Sequence, residues 1–160
     1  MLNLPDKILF SDYGGDFSSF FDAVYKKFKL DFVESKPIFR GMRIALKRHP
    51  LVADKEYTFY HITHEGDDEK NRKPSIPRME CIPFPRFLIE KVEHPYLKVW
   101  TNVRKGEERI LIFHEAENYL VVLANRGEYI LLWTAYIVDK PHMKRKLMKE
   151  YEAYKKARTA

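Results

Sequence analysis

The sequence predicts an α+β fold, an antiparallel twisted sheet of about four to five strands with an N-terminal helix and a basic C-terminal helix packed on it. Three observations carry this. Between Tyr96 and Val138, four runs rich in β-branched and aromatic residues are separated by short polar turns. Phe17, Phe20, Phe21, Val24 and Phe28 recur at the spacing of one helix face. Met143, Leu147, Tyr151 and Tyr154 repeat that spacing near the end of the chain.

Taken in order, Ile8-Leu9-Phe10 reads as a short strand or an anchoring segment, and Gly14-Gly15 interrupts it. Asp16 suits the N-cap of the first helix, and Lys26, Lys27 and Lys29 suit its C-terminal end. Pro37 to Leu46 is a weak strand with Gly41 inside it, and Asp54-Lys55 marks a turn. Tyr57 to Thr63 is aromatic and β-branched and reads as a strand, with Tyr57, Phe59 and His61 on one face. Glu65 to Pro77 mixes charges with two prolines and reads as a long exposed loop. A short helix is expected from Pro85 to about Val92, with Pro in its first turn.

The four-strand meander follows. Tyr96 to Val103 turns at Arg104-Lys105-Gly106-Glu107 into Arg109 to His114. Glu115 to Asn118 leads into Tyr119 to Ala124, and Asn125-Arg126-Gly127-Glu128 turns into Tyr129 to Val138. The last strand is apolar along its whole length, without alternation, so both its faces are expected to be covered and its place is at or near the sheet centre. Thr134 and Tyr136 share one face of it.

A length of 160 residues fits a single domain with a sizeable core, here an N-terminal helical and extended segment (1–50) followed by an α+β core (55–155). Hydrophobic content of 45% argues against disorder. No apolar run approaches the ~20 residues of a membrane helix, and the first residues lack the basic and apolar regions of a signal peptide. One cysteine, Cys81, excludes an internal disulfide and fits the reducing cytoplasm. The net charge of +6 resides in the segment from Lys140 onward, which holds eight basic and two acidic residues; the rest of the chain is balanced. A basic helix face of that kind attracts polyanions or serves solubility. Arg145, Lys149 and Lys156 fall opposite its apolar stripe and, with His64, are the candidate RNA contacts.

Metal-ligand patterns are missing: there is no HExxH, no cysteine pair and no EF-hand loop, and His61 and His64 do not converge on one ion from a strand end. No phosphate-binding glycine loop or GxSxG elbow occurs. No metal or cofactor is expected. What remains is His, Arg and hydroxyl chemistry on an antiparallel sheet beside an Arg-bearing loop. That set suits RNA cleavage without a metal: His for proton transfer, Arg for the phosphate, aromatic rings for an unstacked base.

Four segments in order, Thr58-Phe59-Tyr60-His61-Ile62, Arg78 to Arg86, Tyr119 to Leu123 and Tyr129 to Tyr136, together resemble the phage- and mobile-element-borne barnase–EndoU–colicin–RelE-like nucleases, a superfamily of metal-independent RNase toxins. The resemblance covers roughly residues 55 to 155, and the Thr134-Ala135-Tyr136 ending before a Lys-rich helix is its best single match. The chain differs at Cys81, where the family tends to carry a basic residue, and at Phe84, where it tends to carry Trp. The resemblance implies a toxin ribonuclease acting on RNA such as tRNA or mRNA, with a cognate antitoxin or immunity protein. It implies His61, Arg78, Arg86, Thr134 and Tyr136 as the catalytic set. Two other readings stand beside it: a catalytically silent nucleic-acid-binding module, and a mobile-element accessory protein that binds another protein.

Overall fold

The computed structural model describes residues 1–159. It is α+β, as the sequence predicts, but the sheet has six strands and is mixed. The first helix, α1 (Phe17–Phe32), begins where Asp16 accepts from the Ser19 backbone N–H at 3.2 Å and from its hydroxyl at 2.8 Å. Its buried face is Phe20, Val24, Phe28 and Phe32. Before it, the N-terminal segment forms no strand, but it is anchored and then makes a 3-10 turn at Phe10–Tyr13: Ile8 N donates to Glu80 O at 3.1 Å and Phe10 N to the Glu80 carboxylate at 2.9 Å.

Pro37 to Leu46 is not one strand. It folds as a hairpin of β1 (Ile38–Phe39) and β2 (Met42–Ala45), turning on Arg40 and Gly41. Both turn residues have positive φ (48° and 84°), the geometry that matches strand twist in a two-residue loop. Gly41 is therefore the turn, not a strand residue.

Tyr57 to Thr63 is also not a strand; it is helix α2 (Tyr57–Thr63). The residues favour β-structure locally, but a helix lets Phe59, Ile62 and Thr63 share one buried face. Phe59 fits among Phe21, Tyr25 and Phe28, with ring centroids 5.5, 4.9 and 5.1 Å away. Burying a Phe contributes about 1.5–3 kcal/mol, more than the propensity difference opposes.

The stretch expected as a long loop is tied down. Strands β3 (His64–Glu65) and β4 (Lys73–Pro74) pair, with a 3-10 turn at Glu69–Asn71 between them. Helices α3 (Ile76–Glu80) and α4 (Phe84–Glu90) follow, the latter close to the expected Pro-led helix.

Strands β5 (Lys98–Arg104), β6 (Glu107–His114), β7 (Tyr119–Asn125) and β8 (Ile130–Ile137) form the expected meander. The strand order is β1-β2-β8-β7-β6-β5, so β8 lies inside the sheet. The departure from an all-antiparallel sheet is β2, which pairs parallel to β8 at Ile44–Ile130 and Ala45–Leu131.

The sheet is covered on both faces, which accounts for the unbroken apolar run of β8. On one face Ile110, Ile112, Val121, Leu123, Leu132 and Ala135 meet the N-terminal helices. On the other Trp100, Leu111, Phe113, Leu120 and Val122 meet Leu147, Met148, Tyr151 and Tyr154 of the C-terminal helix α5 (Pro141–Thr159). Among the described residues no helix is long and apolar enough to cross a membrane.

Candidate functional site

The parallel pairing of β2 with β8 ends at Leu131, and α2 packs beside β8. A register shift between Val122 and Leu123 leaves Trp133 without a partner across the ladder. Such a bulge sends two successive side chains to one face, and Trp133 and Thr134 both line the α5 side.

His61 reaches this edge from α2. Its ring sits 5.8 Å from Trp133 and 6.1 Å from Tyr57, one turn back on the same helix. Its Nε2 lies 3.5 Å from a Glu69 carboxylate oxygen, while Nδ1 is buried without a hydrogen-bond partner. Burial first, then the positive charges of Arg72, Arg78 and Lys47, push its pKa down to about 4, so the imidazole is neutral at pH 7.

Arg78 reaches the same edge from α3. Ser75 caps that helix by accepting from the Arg78 N–H at 3.3 Å. The guanidinium donates to His64 O at 3.0 Å and lies 5.3 Å over the Tyr136 ring. Burial lowers its pKa, but an arginine keeps its charge. Burial raises the pKa of the Tyr136 phenol, with Arg78 pulling the other way.

Thr134 and Tyr136 open into a cleft of about 200 Å³ between β8 and α5. No described protein group hydrogen-bonds either hydroxyl. Three cations also line this cleft: Arg104, Arg109 and Lys146. Arg109 lies 4.5 Å over the Trp133 ring, opposing the electron-rich π face with its charge. His61 thus meets β8 at Trp133 and Arg78 meets it at Tyr136, while the cleft itself is lined by Trp133, Thr134 and Tyr136 and not by His61 or Arg78.

Arg86 is not part of this group. It sits on α4, across the sheet, where it donates to Asp31 O at 2.8 Å and Ser35 Oγ at 2.6 Å and so fastens α4 to the end of α1. His64 ends α2. The single Thr63 hydroxyl hydrogen goes to Phe59 O at 2.7 Å, so the 2.9 Å contact with His64 Nδ1 makes that nitrogen the donor. Burial lowers the His64 pKa. Arg145, Lys149 and Lys156 are exposed, but Arg145 and Lys149 border the outer side of α5 beside Met148, away from the cleft. The α5 cation that reaches the cleft is Lys146.

Residues missed by sequence reasoning are Trp133 as the meeting point, Arg109, Arg104, and Arg72. Alternation from Leu111 and Phe113 places Arg109 on the α5 face, a signal that was available. Arg72 had none: it lies within the polar stretch, yet donates to Gly66 O at 2.7 Å, His61 O at 3.0 Å and His64 O, closing the segment back onto α2. Cys81 is buried and its thiol is pushed up to about 11, which leaves it protonated and unreactive.

Among the described residues no group of three or more His, Cys, Asp or Glu is placed to hold a metal ion. No family model, curated protein or solved structure matches the chain.

Proposed function

We propose that the chain is a toxin ribonuclease of a phage or mobile element, cleaving RNA in the cytoplasm by attack of a 2′-OH on the adjacent phosphate, and held in check by a neutralising protein. The observation that supports this best is the Arg78 guanidinium held 5.3 Å over the Tyr136 ring of β8, with its charge also acting on the neutral His61 beside Trp133. A neutral imidazole accepts the 2′-OH proton as the O–P bond forms. Arg78, with Arg109 and Lys146 from the cleft, bears the charge that builds on the phosphorane oxygens. The P–O5′ bond then breaks, and Tyr136, protonated at neutral pH, gives its proton to the departing 5′-oxygen. The Arg78 charge 5.3 Å above the ring stabilises the tyrosinate left behind. The products are a 2′,3′-cyclic phosphate and a 5′-OH, and proton exchange with water resets both side chains. Arg86 has no part in this scheme.

A second reading has its own support. The His61 side chain is only 13% exposed and its Nδ1 is sealed. A histidine held that way suits a packing role, and the fold would then be a nucleic-acid-binding module that uses the basic cleft and α5.

Purified protein incubated with RNA separates the two. On the ribonuclease reading His61→Ala lowers cleavage by ~10²- to 10⁴-fold. Tyr136→Phe also slows it, added EDTA does not, and product ends are cyclic phosphates. Wild-type protein that binds RNA without cleaving it, or His61→Ala protein that cleaves as fast, overturns the ribonuclease reading in favour of the binding module.

A further inference from the structure

Against the start of α2 lies another cavity, of about 400 Å³, within the size range of small-molecule sites. Lys47, Pro50, Tyr57, Tyr60, Glu69 and Lys70 form its walls. Tyr57 and Tyr60 stand with ring centroids 6.0 Å apart, and the Lys47 ammonium lies 4.6 Å over the Tyr57 ring. The wall is held in place. Tyr60 donates to Glu69 O at 3.2 Å and accepts from Arg72 N at 3.1 Å, and the Thr58 hydroxyl fixes the Lys47 backbone through contacts of 2.8 and 3.2 Å.

We infer that this cavity is a subsite for one nucleotide of single-stranded RNA, next to the nucleotide whose phosphate meets His61 and Arg78. Two tyrosines give an unstacked base apolar and π contact, which accepts any base. Lys47 and Lys70 give its phosphate two cations. The link to the first site is physical: Glu69 walls the cavity and also stands 3.5 Å from His61 Nε2. Tyr57 likewise joins the two, with His61 one turn on along α2. A nucleotide bound here therefore adds phosphate charge beside a histidine whose neighbours Arg72, Arg78 and Lys47 hold its pKa down, and it shifts that pKa upward. This inference rests on the RNA-directed reading above, but it concerns binding and is tested without cleavage.

The probe is adenosine 5′-monophosphate, titrated into the full chain and followed by NMR of the tyrosine rings and the His61 imidazole, with inorganic phosphate as the control. The expected result is saturable binding that moves the Tyr57 and His61 signals and is tighter than phosphate binding. Tyr57→Ala and, independently, Lys70→Gln should each weaken it, the first by roughly tenfold. Lys70 is exposed, so its substitution leaves the fold intact and keeps the test valid should Tyr57→Ala lose structure. Phosphate binding as tightly as the nucleotide, or both variants binding it like wild type, overturns the subsite. Nucleotide binding lost in these variants, in a protein that cleaves no RNA, supports the subsite while removing the ribonuclease reading. RNA cleavage with an unchanged KM in both variants does the reverse.

Discussion

The Trp100 indole N–H donates to the Glu150 carboxylate across 2.7 Å, a bond that joins the middle of β5 to the middle of α5. The same oxygen accepts from Asn102 Nδ2 at 2.8 Å, and the other oxygen lies 3.4 Å from Arg104. Trp100 is fully buried, so its N–H has no water to turn to. Glu150→Ala leaves that donor unpaired and should destabilise the protein by about 1–3 kcal/mol in urea unfolding. Glu150→Gln keeps an acceptor oxygen and should lose less. Equal stability of the alanine variant and wild type would show that α5 is held by its apolar stripe alone.

The pH dependence of stability should carry the mark of His61. Its pKa is about 4 in the folded chain and near 6.5 when unfolded. Above pH 6.5 both states are neutral there and the residue contributes no slope. Between pH 6.5 and about 4 the unfolded chain holds the extra proton, so stability falls as pH falls, by up to about 3 kcal/mol. Unfolding midpoints of His61→Asn and wild type, compared at pH 7, 5.5 and 4.5, should converge toward acid as wild type alone pays this penalty. Parallel curves would place the histidine at an ordinary pKa.

Arg72 should decide whether residues 64–75 stay folded back on α2. Its guanidinium donates to three backbone carbonyls, and a lysine cannot reproduce that fork. Arg72→Lys should raise amide exchange and protease nicking in this segment while the sheet amides stay protected. Unaltered protection there would mean that the Tyr60 hydroxyl and the β3–β4 pairing suffice.

The cations of α5 should divide into two kinds. Arg145, Lys149 and Lys156 are exposed, so changing all three to Gln should leave stability within about 0.5 kcal/mol per site. It should also weaken RNA binding and flatten its salt dependence. Lys146→Gln, in the cleft beside Thr134 and Tyr136, should affect cleavage as well as binding. If the triple variant keeps the wild-type affinity and salt slope, those three charges serve solubility.

The sequence by itself determined the meander and the two amphipathic helices. Runs such as Tyr119 to Asn125 and Ile130 to Ile137 hold enough β-branched and apolar residues, and turns such as Lys105-Gly106 enough positive-φ tolerance, that local chemistry and long-range packing agree. It also indicated that β8 is covered twice, because no strand with one wet face is apolar throughout. Tertiary structure alone decided α2. Tyr57 to Thr63 satisfies both a period of 2 and a helical period, and the aromatic cluster around Phe59 selects the helix. That choice sets where His61 points, so the candidate site could not be drawn from alternation. The parallel pairing of β2, the bulge at Trp133 and the placement of Arg86 across the sheet from Tyr136 are likewise products of distant contacts. The resemblance groups Arg78 and Arg86 with Tyr136, whereas the fold brings Arg78 to the Tyr136 ring and ties Arg86 to the end of α1, a separation that no local pattern encodes.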